Sequence, residues 1–273
     1  MLAIALTALT WSLGSINSHM KVLILISLMI SVAICCNGQK LVKKKENDRY
    51  GKNIYYVLKD NPEIKHGEYY QKSWSGNTKL IEGQYDNGKR VGLWIERFYM
   101  KSIRGNKKSE GNYQDDKKVG EWTYFNFKGQ KVQVYDYTSN QLIYSQICES
   151  KKDNTYNVVT ADGKIENKKL DCPPQYVGGE SLLANEAQTI LTYPQELNTN
   201  GVDIFEINTD VIFNVKKDGQ IGNVSFTKKI GYGIEEKIES WLKGESKKWI
   251  PAKLEGEYVE AQLVLPIRQR FQF

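Results

Sequence analysis

His66-Gly67 carries the one imidazole beyond residue 38. It could act as a general base only beside a nucleophile, and a histidine next to a turn glycine is ordinarily a surface residue. Asp115-Asp116 offers a carboxylate pair. Neighbours on a strand point to opposite faces, however, which defeats a shared acid–base role. Gly231-Tyr232-Gly233 approaches a phosphate-cradling loop, but Glu236 stands where the third glycine belongs. A Gly-x-Ser-x-Gly elbow is absent. Cys148 and Cys172 are far apart and form no Cys-x-x-Cys pair, so neither a metal nor a cofactor is expected. The residues read as non-enzymatic.

The chemistry that remains is that of the main chain. Ala261, Leu263, Leu265 and Ile267 alternate with Gln262, Val264 and Pro266, which is strand spacing. A last strand at a sheet edge presents N–H and C=O groups on which another chain can dock. The elements that would position it come earlier. Leu183, Ala187, Ile190 and Leu191 share one helical face, and Tyr193-Pro194 ends that helix. Val211, Phe213 and Val215 alternate up to an Asp218-Gly219 turn, and Ile221, Val224 and Phe226 return from it. Ile234, Ile238, Trp241 and Leu242 form a second helical stripe. Pro251 and Gly256 punctuate a loop before the last strand. The expected class is α+β, with a three-stranded antiparallel sheet and two helices in this region.

Tyr193-Pro194, Asp218-Gly219, Trp249-Ile250-Pro251-Ala252 and the closing strand, in that order, resemble the C-terminal domain of the TonB family over residues 173–273. The resemblance implies a domain that grips a short extended segment of an outer-membrane receptor by strand addition. It places partner binding on Tyr258, Val259, Glu260, Gln262 and Val264, and it implies an envelope protein as partner. Two departures stand out. Gly201 has no second glycine within the following Val202–Ile207, and Pro266 removes a donor late in the strand.

A second pattern precedes this one. Glu82, Gly83, Tyr85, Lys89, Val91, Gly92 and Trp94 recur 28 residues later as Glu110, Gly111, Tyr113, Lys117, Val119, Gly120 and Trp122. Asp86-Asn87-Gly88-Lys89 is a hairpin signal, and Asp115-Asp116-Lys117 is its counterpart. These glycine- and aromatic-rich hairpins resemble MORN-type repeats, which implies an antiparallel hairpin-repeat sheet over residues 54–145. Tyr85, Trp94, Tyr113 and Trp122 could form a binding platform or simply the core of that sheet. Tyr124 and Phe125 occupy both strand phases, so one ring of the pair should face outward.

The net charge is +6, from 38 basic and 32 acidic residues with the signs interspersed. Lys43-Lys44-Lys45 and Lys247-Lys248 are short clusters, and no basic stripe alternates with stacking groups, which argues against nucleic acid. Met20-Lys21, the apolar run Val22–Cys36 and the small-residue exit Cys36-Asn37-Gly38 follow the plan of a signal peptide. The run is shorter than the about 20 residues of a membrane-spanning helix. Lipidation at Cys35 or Cys36, or retention as an anchor, are the alternatives, and peripheral membrane association stays open. Ser15 and His19 have the spacing of a TonB-type anchor motif but lie outside the apolar run.

The expected organisation is a targeting segment at 1–38, a charged leader at 39–53, the repeats at 54–145, a linking hairpin at 146–172 and the last domain at 173–273. Cys148 and Cys172 could pair in an oxidising compartment or stay unpaired and buried. The expected role is an exported periplasmic adaptor; the alternative is a structural or surface-interaction protein whose repeats bind while the C-terminal domain caps them. Mass spectrometry of the protein recovered from its envelope is expected to find a free N-terminus near Gln39. A lipid-modified or intact leader would contradict that.

Overall fold

The computed structural model describes residues 39–74, 76, 78–150, 154–191, 204–244 and 248–272. The targeting segment with Met20, Lys21, Cys35 and Cys36, the Tyr193-Pro194 pair, Gly201 and Lys247 lie outside the described residues. Among the described residues no helix is long and apolar enough to cross a membrane.

The first strands are β1 (Leu41–Asn47), β2 (Gly51–Leu58), β3 (Asn61–Ser73), β4 (Lys79–Asp86) and β5 (Lys89–Arg97). They continue as β6 (Lys107–Gln114), β7 (Lys117–Phe125), β8 (Lys131–Asp136) and β9 (Gln141–Ser145). These pair in sequence order as one nine-stranded antiparallel sheet. A short helix α1 (Gln146–Ser150) leaves it, followed by the hairpin β10 (Thr155–Val159) and β11 (Ile165–Lys169). Then come β12 (Gln175–Tyr176), α2 (Gly179–Ile190), β13 (Ile204–Val215), β14 (Ile221–Phe226) and α3 (Ile234–Leu242). The chain closes with β15 (Trp249–Ile250), β16 (Ala252–Leu254) and β17 (Glu257–Gln272). The second sheet is six-stranded, in the order β11-β10-β17-β13-β14 with β16 beside β17, and β12 pairs with β15.

Turn chemistry and ring packing explain the repeats. Asn87 and Gly88 (φ 46° and 86°) and Asp115 and Asp116 (φ 49° and 67°) hold left-handed conformations at the hairpin tips, as tight two-residue turns require. Behind each tip a tryptophan lies flat across the glycine of the facing strand. A methyl at Gly83 would run into the Trp94 ring, and one at Gly111 into the Trp122 ring.

The expected α+β class is corrected. The protein is mostly β, with 59% strand against 12% helix. The C-terminal sheet has six strands, not three. The extra strands come from pairings that a local reading cannot place. The β10–β11 hairpin joins β17 through Val158↔Ala261 and Val159↔Glu260. β13 also starts earlier than expected, because Phe205, Ile207 and Thr209 continue the alternation seen at Val211. The leader expected at 39–53 is likewise corrected: β1 pairs with β2 from Leu41↔Leu58 to Asn47↔Lys52. Every residue of β1 is exposed, so it shows no apolar alternation. Main-chain pairing and a Tyr55 Oη to Glu46 Oε1 bond of 2.5 Å hold it.

The sheets share one core. Trp94, Tyr113, Trp122 and Tyr124 belong to the same buried cluster as Leu182, Val211, Phe213, Ile238 and Trp249. The junction is also polar. Buried Gln133 donates to Gln175 Oε1 (2.8 Å) and to the Tyr176 carbonyl (3.2 Å), and accepts from the Gly178 N–H (2.5 Å). Cys148 and Cys172 form a disulfide with a Cα separation of 4.4 Å, tying α1 to the start of the second unit. Gln175 Nε2 lies 3.3 and 3.1 Å from their two sulfurs.

Gly111→Ala is expected to destabilise the protein by about 1–3 kcal/mol, because Trp122 is fully buried and cannot yield. Urea denaturation followed by tryptophan fluorescence measures this. An unchanged midpoint would show that the ring does not need the glycine.

Candidate functional site

β17 is internal at its start and lies at an edge beyond it. β13 pairs with it from Ala261 to Gln272. On the other flank β10 reaches only Glu260 and Ala261. β16 folds back on Glu257, Tyr258 and Val259. Part of the expected partner-binding row is therefore already engaged. Tyr258 faces Lys253 and Val259 faces Ala252, while Glu260 faces Val159. The Glu260 carboxylate also accepts from Asn214 Nδ2 (2.8 Å), and Gln262 Oε1 accepts from Asn157 Nδ2 (3.0 Å). The free edge expected from Tyr258 is corrected to one that begins near Val264.

The direction of the peptide groups on that edge follows from β14. The Thr227 N–H donates to the Asp210 carbonyl (3.0 Å), and the Asp210 N–H donates to Thr227 Oγ1 (2.9 Å). Asp210 thus turns its main chain away from β17. Its cross-strand partner Pro266 must turn away as well, because facing residues of an antiparallel pair either exchange bonds or both point outward. By alternation, the main-chain groups of Val264, Pro266, Arg268 and Arg270 face the open flank, and those of Leu263, Leu265, Ile267 and Gln269 bond to β13. Beyond Ala261 no strand pairs with that flank among the described residues. Pro266 takes one donor from the flank and none from the β13 ladder. Alternate side chains do the reverse: Ala261 and Ile267 are buried, while Val264 is 55% exposed.

The aromatic platform is mainly core. Trp94, Tyr113, Trp122 and Tyr124 are all buried, and Tyr85 meets Trp94 edge-on at 5.3 Å. Tyr124, one of the pair expected to turn a ring outward, is 1% exposed. It shares a sheet face with Trp122 two residues away, so it goes where the tryptophan goes. Phe125 is half-buried, with Lys107 Nζ 5.7 Å from its ring centre.

Cations fill the gaps between the rings, a feature the sequence reading missed. Lys65 Nζ lies 4.8 Å from the Tyr55 ring and 5.5 Å from Tyr85. Arg90 lies 4.1 Å from Tyr113, and Lys118 4.0 Å from Trp122. Lys248, from the second unit, lies 5.1 Å from Tyr137. Arg90 and Lys118 are 28 residues apart. Conserved charge at the repeat displacement, rather than identity, was the available signal.

The residues with catalytic potential have structural partners. His66 Nδ1 accepts from the Asn87 N–H (3.3 Å). Asp115 pairs with Lys89 (3.4 Å) and Asp116 with Arg90 (3.0 Å), so both aspartates occupy a turn, not a strand, and bind the preceding hairpin. The amides of Ile230 and Gly231 donate to the Glu235 carboxylate, which fills the position an anion would take.

A different aromatic group is exposed. Tyr50, Trp74 and Tyr99 come from three connections at one end of the first sheet, with Trp74 52% exposed. The Tyr50 and Tyr99 rings meet at 5.0 Å, and Trp74 Nε1 donates to the Arg49 carbonyl (3.4 Å). Asp48 fixes this turn by accepting from the Tyr50 and Gly51 amides. Burial opposes ionisation of Asp48, but bonds from Asn53, Tyr50, Gly51 and Gln71 outweigh it and hold the carboxyl below its usual range.

The fold and these surfaces define an antiparallel β protein: a hairpin-repeat sheet fused through a shared core to a second sheet with a partly open flank. No family model, curated protein or solved structure matches the chain.

The half-buried Lys118 gives the protein a characteristic pH response. Burial pushes Lys118 down from 10.5 to about 8, against the attraction of Glu96. Between those values the unfolded chain holds a proton that the folded chain has released, so stability rises with pH. Burial raises Tyr69, Tyr113 and Tyr137 from 10.0 to about 12. Their contribution is complete below pH 10 and is lost as pH climbs towards 12. Stability is expected to increase by on the order of 2 kcal/mol between pH 8 and 10 and then to fall. Lys118→Met should flatten that rise. Urea midpoints across the range decide the matter, and a parent protein that only loses stability above pH 8 would contradict the assignment.

Proposed function

We propose that this chain is an exported, non-enzymatic protein-binding module whose second sheet accepts an extended segment along the flank of β17 from Val264 to Arg270. One observation carries the reading. β13 covers one side of β17 through Gln272, whereas β10 stops at Ala261 on the other. The sequence resemblance of Asp218-Gly219, Trp249-Ile250-Pro251-Ala252 and the closing strand to the TonB C-terminal domain, whose small three-stranded fold this sheet does not reproduce, supports strand addition as the chemistry, with an envelope protein as partner. The signal-peptide plan of residues 20–38 supports export.

A partner strand here would find outward N–H groups at Val264, Arg268 and Arg270 and a gap at Pro266. Each main-chain bond contributes about 0.5–1.5 kcal/mol net, and association offsets much of the total. Binding should be weak, in the micromolar class.

The surface-interaction alternative rests on Tyr50, Trp74 and Tyr99 instead. Exposed rings from three separate connections form a contact surface that the buried repeat aromatics cannot.

Hydrogen exchange on the isolated protein tests the geometry. The Val264, Arg268 and Arg270 amides should exchange at least tenfold faster than those of Leu263, Leu265 and Ile267. Uniform protection along this stretch would mean that the flank is already occupied. Val264→Pro should then abolish capture of envelope partners while leaving the melting transition in place, since that N–H bonds to nothing in the β13 ladder. Retained capture by that variant, combined with loss in a Trp74→Ala variant, would select the aromatic tip.

A further inference from the structure

A cleft of about 740 Å³ opens where the first sheet meets the second unit. Tyr135, Asn140 and Leu142 contribute from the first sheet. The β13–β14 turn, the end of α3, the Lys248–Pro251 stretch and Tyr258 contribute from the second. Its size suits a small organic ligand. Neither the strand-adding flank nor the aromatic tip includes these groups.

The walls are fixed before any ligand arrives. Gly219 sits so close to β15 that a methyl there would lie 2.6 Å from the Trp249 carbonyl oxygen, which locks the turn against that strand. Lys248 Nζ is held by Asn140 Oδ1 at 2.8 Å and lies 5.7 Å from the Tyr135 ring. Tyr258 is 51% exposed. Burial first, and the Tyr258 phenol second, raise the Tyr135 hydroxyl above its ordinary value, and both residues line the cleft.

Charge decides the ligand class. Lys217, Lys243, Lys248 and Asp218 are the charged residues of the lining. Lys243 is neutralised by Glu239 at 2.6 Å. Asp218 accepts from the Gln220 N–H (2.9 Å) to close its turn. Lys217 and Lys248 face no carboxylate partner among the described residues. Two cations without an ion-pair partner against one carboxylate leave a single net positive charge. Asn140 and Gln220 are the uncharged polar side chains of the lining, and Leu142, Ile221, Ile250, Pro251, Tyr135 and Tyr258 form an apolar and aromatic wall. A monoanion with an apolar body is matched on both counts. A phosphate dianion would exceed the available charge and leave the apolar wall uncovered.

We propose that this cleft binds an organic carboxylate bearing an aromatic or aliphatic group, with Lys217 and Lys248 holding the carboxylate and the apolar wall holding the body. The same chemistry is presented by a free carboxylic acid and by the C-terminal residue of a peptide.

Titration of the mature chain with N-acetylphenylalanine, its amide and acetyl-Gly-Gly-Phe, followed by calorimetry or amide chemical shifts, tests the assignment. The free acid should bind at least tenfold more tightly than the amide, with shifts at Lys217, Gly219 and Tyr258. Lys217→Met, at an exposed position without an ion-pair partner, and Lys248→Met should each weaken the acid about tenfold, and the loss should shrink as salt is raised. Tighter binding of the tripeptide than of the single residue assigns a peptide terminus, and equal binding assigns a free acid. Equal affinity for acid and amide, unchanged affinity in both variants, or no shift at the cleft would overturn the proposal.

Discussion

The structure depends on a tryptophan ring laid flat on a glycine. At Gly83 and at Gly111 any side chain would occupy the space of the indole from the facing strand. With that space kept clear, the ring lies across the sheet and meets its neighbours by edges and faces. Trp94 packs face-on against Tyr69 at 5.6 Å and meets Tyr113 edge-on at 5.7 Å. Trp122 continues the row, meeting Tyr113 at 5.1 Å and Tyr137 at 6.1 Å. Such contacts favour offset and edge-on geometry and add about 0.5–1.5 kcal/mol each beyond area burial. A row of rings is still open at its end unless something covers it. The second unit does so, and it supplies Lys248 over the last tyrosines.

That dependence explains why the two units share a core while the junction contains buried amides. Apolar packing alone would allow the second unit to slide along the aromatic face, because dispersion is weakly directional. Gln133 and Gln175 remove that freedom. Ser145 Oγ and Gln133 Nε2 both donate to Gln175 Oε1 (2.8 Å each), and the Gln175 amide nitrogen turns to the disulfide. Each group is satisfied only in one register, so the network sets position where the rings set affinity.

Much of the hairpin sheet was legible, because its information is local. The repeat displacement, the Asp-Asn-Gly tip and the alternation around Trp94 and Trp122 all lie within a strand or two of the contacts they specify. β1 was illegible for the opposite reason. Lys43, Lys44 and Lys45 protect an outer edge, and such a strand carries no apolar period. In the second sheet, both helical stripes and the Asp218-Gly219 turn could be read, yet the sheet's size could not. Pairing between Val158 and Ala261 joins residues over a hundred positions apart, and nothing in either stretch names the other. The same limit moved the expected docking row. Tyr258, Val259 and Glu260 look free in a list of alternating residues and are occupied once β10 and β16 are in place.

An open flank on a long strand is also a hazard, since the easiest partner for it is another copy of itself. This flank carries its own restraint. Pro266 interrupts the donors at the middle of the exposed stretch, on the side where the interruption costs the native ladder nothing. Arg268 and Arg270 follow the gap, paired with Asp210 and Glu206 on β13. Two antiparallel copies centred on Pro266 would meet across a pairing that lacks the donors at its centre on both strands. A different segment, able to bring carboxylates opposite Arg268 and Arg270 and a small residue other than proline opposite Pro266, would lose donors on one strand only. On the proposed reading, the proline that discourages self-association also sets a requirement on any partner strand.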